Sequence, residues 1–221
     1  MSIQREQIMR CACDLYLSEG FEGFSMRKLA KCVGCTAPAL YRHYENKEEV
    51  MQEVVAEAFR LFAQYLYRAL EGRTPQERFK MAGQAYVDFA LEQPALYEVL
   101  YAPVELLGIQ RGEGNAAAQA CAVGQFWADR VREMMDAGFF KQGDPELVSL
   151  TLWAHAHGLL SIYHRGLLPV TTEEEFKALV VLSYHQVVNG IGTQAYEEVL
   201  EDVESGDAPS WIAGRVGTVA D

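Results

Sequence analysis

Between Ser25 and Lys47 the chain gathers side chains suited to contact with a polyanion. Arg27, Lys28, Lys31, Arg42 and Lys47 are basic, and Glu45 is the only acid of that window. The remainder has the opposite sign: the 221-residue sequence carries a formal net charge of −12, and the acid-rich stretch from 51 onward accounts for it. A basic island on an acidic body concentrates attraction for phosphate on one face. The island also has a sequence of shapes. Thr36, Ala37, Pro38 and Ala39 are small or compact, and Tyr41, Arg42 and His43 follow as donors. Thr and Ala can touch a thymine methyl, while Arg and His can donate to a base edge or a phosphate. Tyr41 and Lys47 suit phosphate oxygens.

Cysteine and histidine offer a second chemistry. Five cysteines are an odd number and do not suggest a disulfide framework; they fit a reducing compartment. Cys32-x-x-Cys35, with Cys11 and Cys13, could in principle bind zinc or act as a thiol switch. Cys11 and Cys13 lie about 200° apart on a helix, so they cannot share one metal. The expectation is packing for Cys32 and Cys35, with a thiol-responsive regulator using Cys32/Cys35 as the alternative. His155 and His157 point to opposed faces, and His164 lies roughly 10 Å along the axis from His157. No metal site and no cofactor are expected. There is no phosphate loop, H-E-x-x-H or G-x-S-x-G, so the sequence does not read as an enzyme.

The elements that must carry these residues read as helix after helix, an all-α fold. Asn46 to Glu49, Thr74 to Glu77 and Thr172 to Glu175 each place a capping side chain three residues before a glutamate. Asp144-Pro145 is an N-cap followed by a proline that needs no N–H. Gly20, Gly72, Gly138 and Gly166 are expected stops. A first helix over about 4–18 buries Ile8, Cys11, Ala12, Leu15 and Tyr16 on one face. A second spans 25–33, a third 37–44, and a long fourth runs over about 47–70. Gly34 supplies the tight turn between the second and third, and Thr36 is placed to cap the third. Further helices are expected near 75–92, 95–101, 116–137, 145–165 and 173–199. A glycine-rich loop is expected at 108–115 and a loose or docked tail at 205–221.

The stretch from Ile8 to Val50 resembles the DNA-binding domain of the tetracycline-repressor (TetR) family. The resemblance rests on the Gly20-Phe21 turn, Ser25, the Leu29-Ala30 pair, Gly34, the Leu40-Tyr41-x-x-Tyr44 run and Lys47. Cys11, Cys32 and Cys35 stand where the family usually has Ala or Val, and Tyr44 where Phe is commoner. The resemblance implies a helix-turn-helix domain at 1–47, a helical ligand-binding and dimerisation domain at 48–204, and a tail at 205–221. It implies that residues 36–43 form the recognition helix, with Tyr41 and Lys47 as phosphate anchors and Arg27 and Lys28 near the backbone. The expected DNA-binding set is therefore Arg27, Lys28, Thr36, Ala37, Pro38, Ala39, Tyr41, Arg42, His43 and Lys47.

In the body, the segments 147–163 and 176–191 are apolar nearly all round, so each needs cover on two sides. One side is the core; the other implies a second copy, and the resemblance points to the same two helices. The small residues Gly158, Ser161 and Ser183 would permit close approach. Many aromatics suggest a pocket for a small hydrophobic or aromatic ligand. The expected lining is Phe62, Tyr86, Phe89, Tyr97, Phe126, Trp127, Trp153 and His157. The expected protein is a dimeric, ligand-released repressor reading a palindromic operator in double-stranded DNA. A helical protein-interaction module without DNA binding is a further alternative. Met1 to Arg10 is polar with no signal-peptide core, and no apolar run is long enough for a bilayer. A cytoplasmic protein without membrane partners is therefore expected.

Overall fold

The structure, a computed structural model, describes residues 5–102 and 114–194. Nine α-helices follow one another among these residues, with no strand. They are α1 (Arg5–Gly23), α2 (Met26–Val33), α3 (Ala37–Leu40), α4 (Lys47–Tyr67), α5 (Pro75–Glu92), α6 (Pro94–Leu100), α7 (Gly114–Asp136), α8 (Pro145–His164) and α9 (Glu173–Ile191). A 3-10 turn, Arg68–Glu71, follows α4. The all-α expectation holds. Most of the 108–115 loop, residues 195–199 and the 205–221 tail lie outside the described residues.

The helix starts form as their side chains dictate. Thr74 Oγ1 accepts from Glu77 N at 3.1 Å, and Glu77 Oε2 accepts from Thr74 N at 3.3 Å and Arg73 N at 2.6 Å. Thr172 Oγ1 accepts from Glu175 N at 3.1 Å, while Glu175 Oε2 reaches back to Thr171 N at 2.7 Å. Asp144 Oδ1 accepts from Glu146 N at 2.9 Å and Leu147 N at 3.3 Å. Each cap satisfies donors that the first turn leaves orphaned. Gly20, Gly138 and Gly166 adopt positive φ, and so does Gly34. Gly72 does not. It is glycine for space, since a Cβ there would lie 2.8 Å from Arg78 N.

Contacts group the described residues into two compact units, one drawn from Met1–Tyr67 and Asp88–Val123, the other from Arg68–Val87 and Gly124–Asp221. In the first, α1 packs on α2, α4 and α6, and α2 packs on α3. Its core joins Ile8, Ala12, Leu29, Leu40, Val50, Val54 and Val99. In the second, α8 packs on α9. Phe79, Val131, Met134, Phe140, Leu152 and Val188 form a core there, with Phe79 and Phe140 edge to face at 5.2 Å. Lys141 N donates to Ile191 O at 2.8 Å and Thr193 N to Phe139 O at 2.9 Å, tying the loop after α7 to the end of α9. No helix among the described residues is long and apolar enough to cross a membrane.

Candidate nucleic-acid interface

Ser25 opens α2 by accepting from Lys28 N at 3.3 Å. Met26, Leu29, Ala30 and Val33 are buried, which leaves Arg27, Lys28 and Lys31 outside. The helix ends on Gly34 at φ 77°, ψ 31°. Cys35 N donates to Ala30 O at 2.9 Å and Gly34 N to Lys31 O at 3.3 Å. This is a Schellman-type stop, and only a residue without a Cβ takes that backbone cheaply.

Two expectations for the next helix are corrected. α3 runs over Ala37–Leu40, not to Tyr44. His43 N donates to Leu40 O at 2.8 Å, an i→i+3 bond that tightens the chain into a turn after one helical turn. Thr36 makes no side-chain cap; its carbonyl instead accepts from Ala39 N at 2.9 Å and Leu40 N at 3.3 Å. Leu40 is fully buried and Tyr44 nearly so, and these two anchor the segment to the core. Burial and the Glu53 carboxylate push the Tyr44 phenol well above its ordinary pKa. With the anchors inward, Thr36, Pro38, Tyr41, Arg42 and His43 are exposed together, Tyr41 at 55 %. Ala37 and Ala39 are half-buried beneath them.

The flanking basic residues are placed unequally. Arg27 is exposed. Lys28 ion-pairs with Glu19 and donates to Gly23 O at 2.9 Å. Lys47 Nζ donates to Phe21 O at 2.9 Å and sits 3.9 Å from the centroid of the Phe21 ring. An ammonium has three donors, so a phosphate contact from Lys47 is compatible with this hold. All ten of the expected DNA-binding residues fall on α2, on α3 and its turn, or at the start of α4, and all ten belong to the first unit.

Two models of one family match the chain: bacterial regulatory proteins of the tetR family over residues 8–54, and the tetracyclin repressor-like C-terminal domain over residues 79–182. The chain is a TetR-family transcriptional regulator. This TetR-family regulator is 41 % identical over 56 residues to the class C tetracycline repressor of Escherichia coli, covering 25 % of each chain. It is 28 % identical over 99 residues to the uncharacterised HTH-type regulator YobS of Bacillus subtilis, covering 44 % of this chain and 51 % of that one. It thus spans about half the length of the latter relative and a quarter of the former. In fold it matches PfmR of Thermus thermophilus, with TM-score 0.68 at 18 % identity, covering 85 % of this chain and all of that one. It matches the ketosteroid regulator KstR2 of Mycobacterium tuberculosis with TM-score 0.68 at 18 % identity, covering 88 % and 97 %. TetR-family regulators bind DNA, usually as dimers, and respond to small molecules.

The eight residues expected to line a pocket in this regulator divide between the units. Phe62, Phe89 and Tyr97 lie in the first, where the Phe62 and Phe89 rings are 4.9 Å apart. Tyr86, Phe126, Trp127, Trp153 and His157 lie in the second. There Tyr86 and Phe126 meet Trp127 edge-on at 6.3 and 6.2 Å, and His157 stacks on Trp153 at 5.4 Å.

Sequence reasoning missed Arg130. It is 8 % exposed, lies 4.9 Å from the Phe126 ring centroid, and donates to Glu133 Oε1 at 2.7 Å. Arg78 donates to the other oxygen of Glu133 at 2.9 Å. Arg130 Nε and Trp127 Nε1 are buried N–H donors without an acceptor among the described residues. An arginine one turn beyond a tryptophan was visible in the sequence; its burial was not.

Cys35 packs against the core as expected, but Cys32 does not. Cys32 is exposed and is disulfide-bonded to Cys11, not set beside Cys35 as a pair. Helices α1 and α2 cross with these positions 5.9 Å apart at Cα, a spacing that no count along the sequence gives. No cluster of three or more His, Cys, Asp or Glu that could hold a metal occurs among the described residues.

Proposed function

We propose that this regulator is a repressor that binds a palindromic operator as a homodimer and is released by a small hydrophobic or aromatic ligand. The observation that carries the DNA-reading part is the exposed set Thr36, Pro38, Tyr41, Arg42 and His43, held on a short helix whose other side is locked by Leu40. In this reading Ala37 and Ala39 allow close approach to base edges, and Arg27, Lys28, Tyr41 and Lys47 contact the backbone. The functional division is 1–47 for DNA and 48–204 for sensing and dimerisation, with 205–221 as a tail. The names of two relatives support the sign of regulation: the class C tetracycline repressor and the IcaR negative regulator of Staphylococcus epidermidis. The protein acts on cytoplasmic DNA and carries out no catalytic step of its own.

Dimerisation draws support from α8. Leu152, Ala156 and Leu160 are its buried stripe. On the opposite side Leu147 and Leu150 are 60 % and 54 % exposed, followed by exposed Ala154 and Gly158. A ridge of two leucines and then small residues is suited to close packing against a second α8. Two-fold pairing would set the recognition segments about 34 Å apart, one turn of DNA. Ligand release draws support from Trp127 and Arg130, whose unmet donors lie beside the aromatic cluster of Tyr86 and Phe126. A ligand with an acceptor oxygen would satisfy them and shift the population of DNA-reading conformations.

The deciding experiment is a fluorescence-anisotropy titration with the DNA upstream of the protein's own gene, against scrambled DNA. Specific binding that weakens steeply with salt, and disappears in Tyr41→Ala/Arg42→Ala, is expected. Equal binding to both DNAs overturns the proposal.

A further inference from the structure

We propose that Cys11 and Cys32 are a redox pair that locks and unlocks the DNA-reading unit in response to the thiol–disulfide balance around the protein. The two belong to different helices, α1 and α2, with Cα atoms 5.9 Å apart and their sulfurs bonded. That separation is where a disulfide forms without moving backbone.

The surroundings assign a role to each sulfur. Cys32 is exposed, so it meets a small oxidant first. Cys11 is 6 % exposed and sits in the core among Ile8 and Ala12, so it reacts only with a sulfur already delivered to it. Cys13 is buried, with its thiol pushed up to about 12, and it lies about 200° around α1 from Cys11, away from the side bonded to Cys32, so it takes no part. Cys35 is half-buried against the same core, where the turn after α2 holds it.

The chemistry is two exchanges with a low-molecular-weight disulfide, RSSR. The Cys32 thiolate attacks one sulfur of RSSR, forming the mixed disulfide and expelling RS⁻. The Cys11 thiolate then attacks Cys32 Sγ, forming the Cys11–Cys32 bond and expelling the second RS⁻. The two protein thiols lose two electrons and two protons, and RSSR becomes two RSH. Excess RSH reverses both steps.

The consequence lies in the turn. Cys32 is in the last turn of α2, between the carbonyls of Ala30 and Lys31 that hold Gly34 and Cys35 and the first residues of α3. Bonding it to α1 fixes the end of α2 from which the exposed Tyr41–His43 face is presented. The locked form carries that face already arranged, so it binds DNA with less ordering than the reduced form. This last step rests on the DNA-binding reading above; the pairing and the locking do not.

The test equilibrates the full chain in glutathione buffers from fully reduced to fully oxidised. Peptide mapping should place one reversible disulfide between Cys11 and Cys32, lost in Cys32→Ser and retained in Cys35→Ser. Hydrogen exchange at the Gly34 and Cys35 amides should slow at least threefold on oxidation, in wild type and Cys35→Ser alone. Operator affinity should rise by a similar factor. A chain that stays reduced throughout, a bond between Cys32 and Cys35, or exchange unchanged by oxidation each overturns the proposal. Unchanged operator affinity with slowed exchange overturns its regulatory half. Absence of any specific DNA binding, with slowed exchange, leaves the lock standing and removes the DNA-binding reading instead.

Discussion

Lys47 is held by the protein and is also proposed to hold DNA, and the two roles separate in Lys47→Ala. The substitution removes an ammonium that donates to Phe21 O at 2.9 Å and lies 3.9 Å from the Phe21 ring centroid. A hydrogen bond from a charged donor contributes about 1.5 kcal/mol at the lower end of its range, the end suited to a half-buried group. The ring contact adds about 0.5 kcal/mol near the surface. The loss is then about 2 kcal/mol, because the contact joins the chain after Gly20 to the start of α4. For a chain of this size that lowers the melting temperature by roughly 4–8 °C. The same change deletes one proposed phosphate contact. The slope of log affinity against log salt should therefore become shallower by about 0.9. Urea denaturation without DNA reads the first quantity, and anisotropy at several salt concentrations reads the second. Stability within about 0.5 kcal/mol of wild type would refute the value placed on the Phe21 contact, since it falls below even one ordinary hydrogen bond. Weaker binding with an unchanged salt slope would show that Lys47 only frames the site.

Three further outcomes follow from the same structure. Leu147→Glu/Leu150→Glu places charge on the exposed ridge of α8, and light scattering should report a monomer with its helix content intact; a dimer of undiminished stability excludes this face as the interface. Gly34→Ala forces a Cβ into left-handed backbone at φ 77° and should cost about 1–2 kcal/mol in chemical denaturation. Equal stability would show that the turn relaxes freely. Burial lowers the pKa of His155 and of His185, so the folded chain disfavours their protonated forms. The unfolded chain then binds more protons below its ordinary histidine pKa of about 6.5, so stability is full above that pH and falls as pH drops toward the lowered folded values. Thermal melts from pH 7.5 to 5 should show this decline, and it should flatten in His155→Asn/His185→Asn.

Much of the frame was legible because its causes are local. The capping pairs at Thr74 and Thr172, the Asp144-Pro145 start and the Gly34 stop act over three to five residues, and each formed where its residues stand. Apolar spacing predicts a third helix as far as Tyr44, but the helix ends at Leu40 and the backbone tightens into a turn at His43. Thr36 has a capping residue's type and an extended backbone, yet its hydroxyl makes no such bond.

The sequence alone determined which segments are helical, where most of them start, and that one short basic window carries the chemistry suited to DNA. Those properties come from side-chain type and from spacing along one helix. The tertiary structure decided which residues meet. It put Cys32 of α2 on Cys11 of α1 and not beside Cys35, turned Lys47 back onto Phe21, and buried Arg130 against Phe126 and Glu133. It also left Leu147 and Leu150 uncovered on α8. Each of these depends on how helices cross, and crossing is fixed by the packing of residues far apart in the chain, which no periodicity within a single helix records.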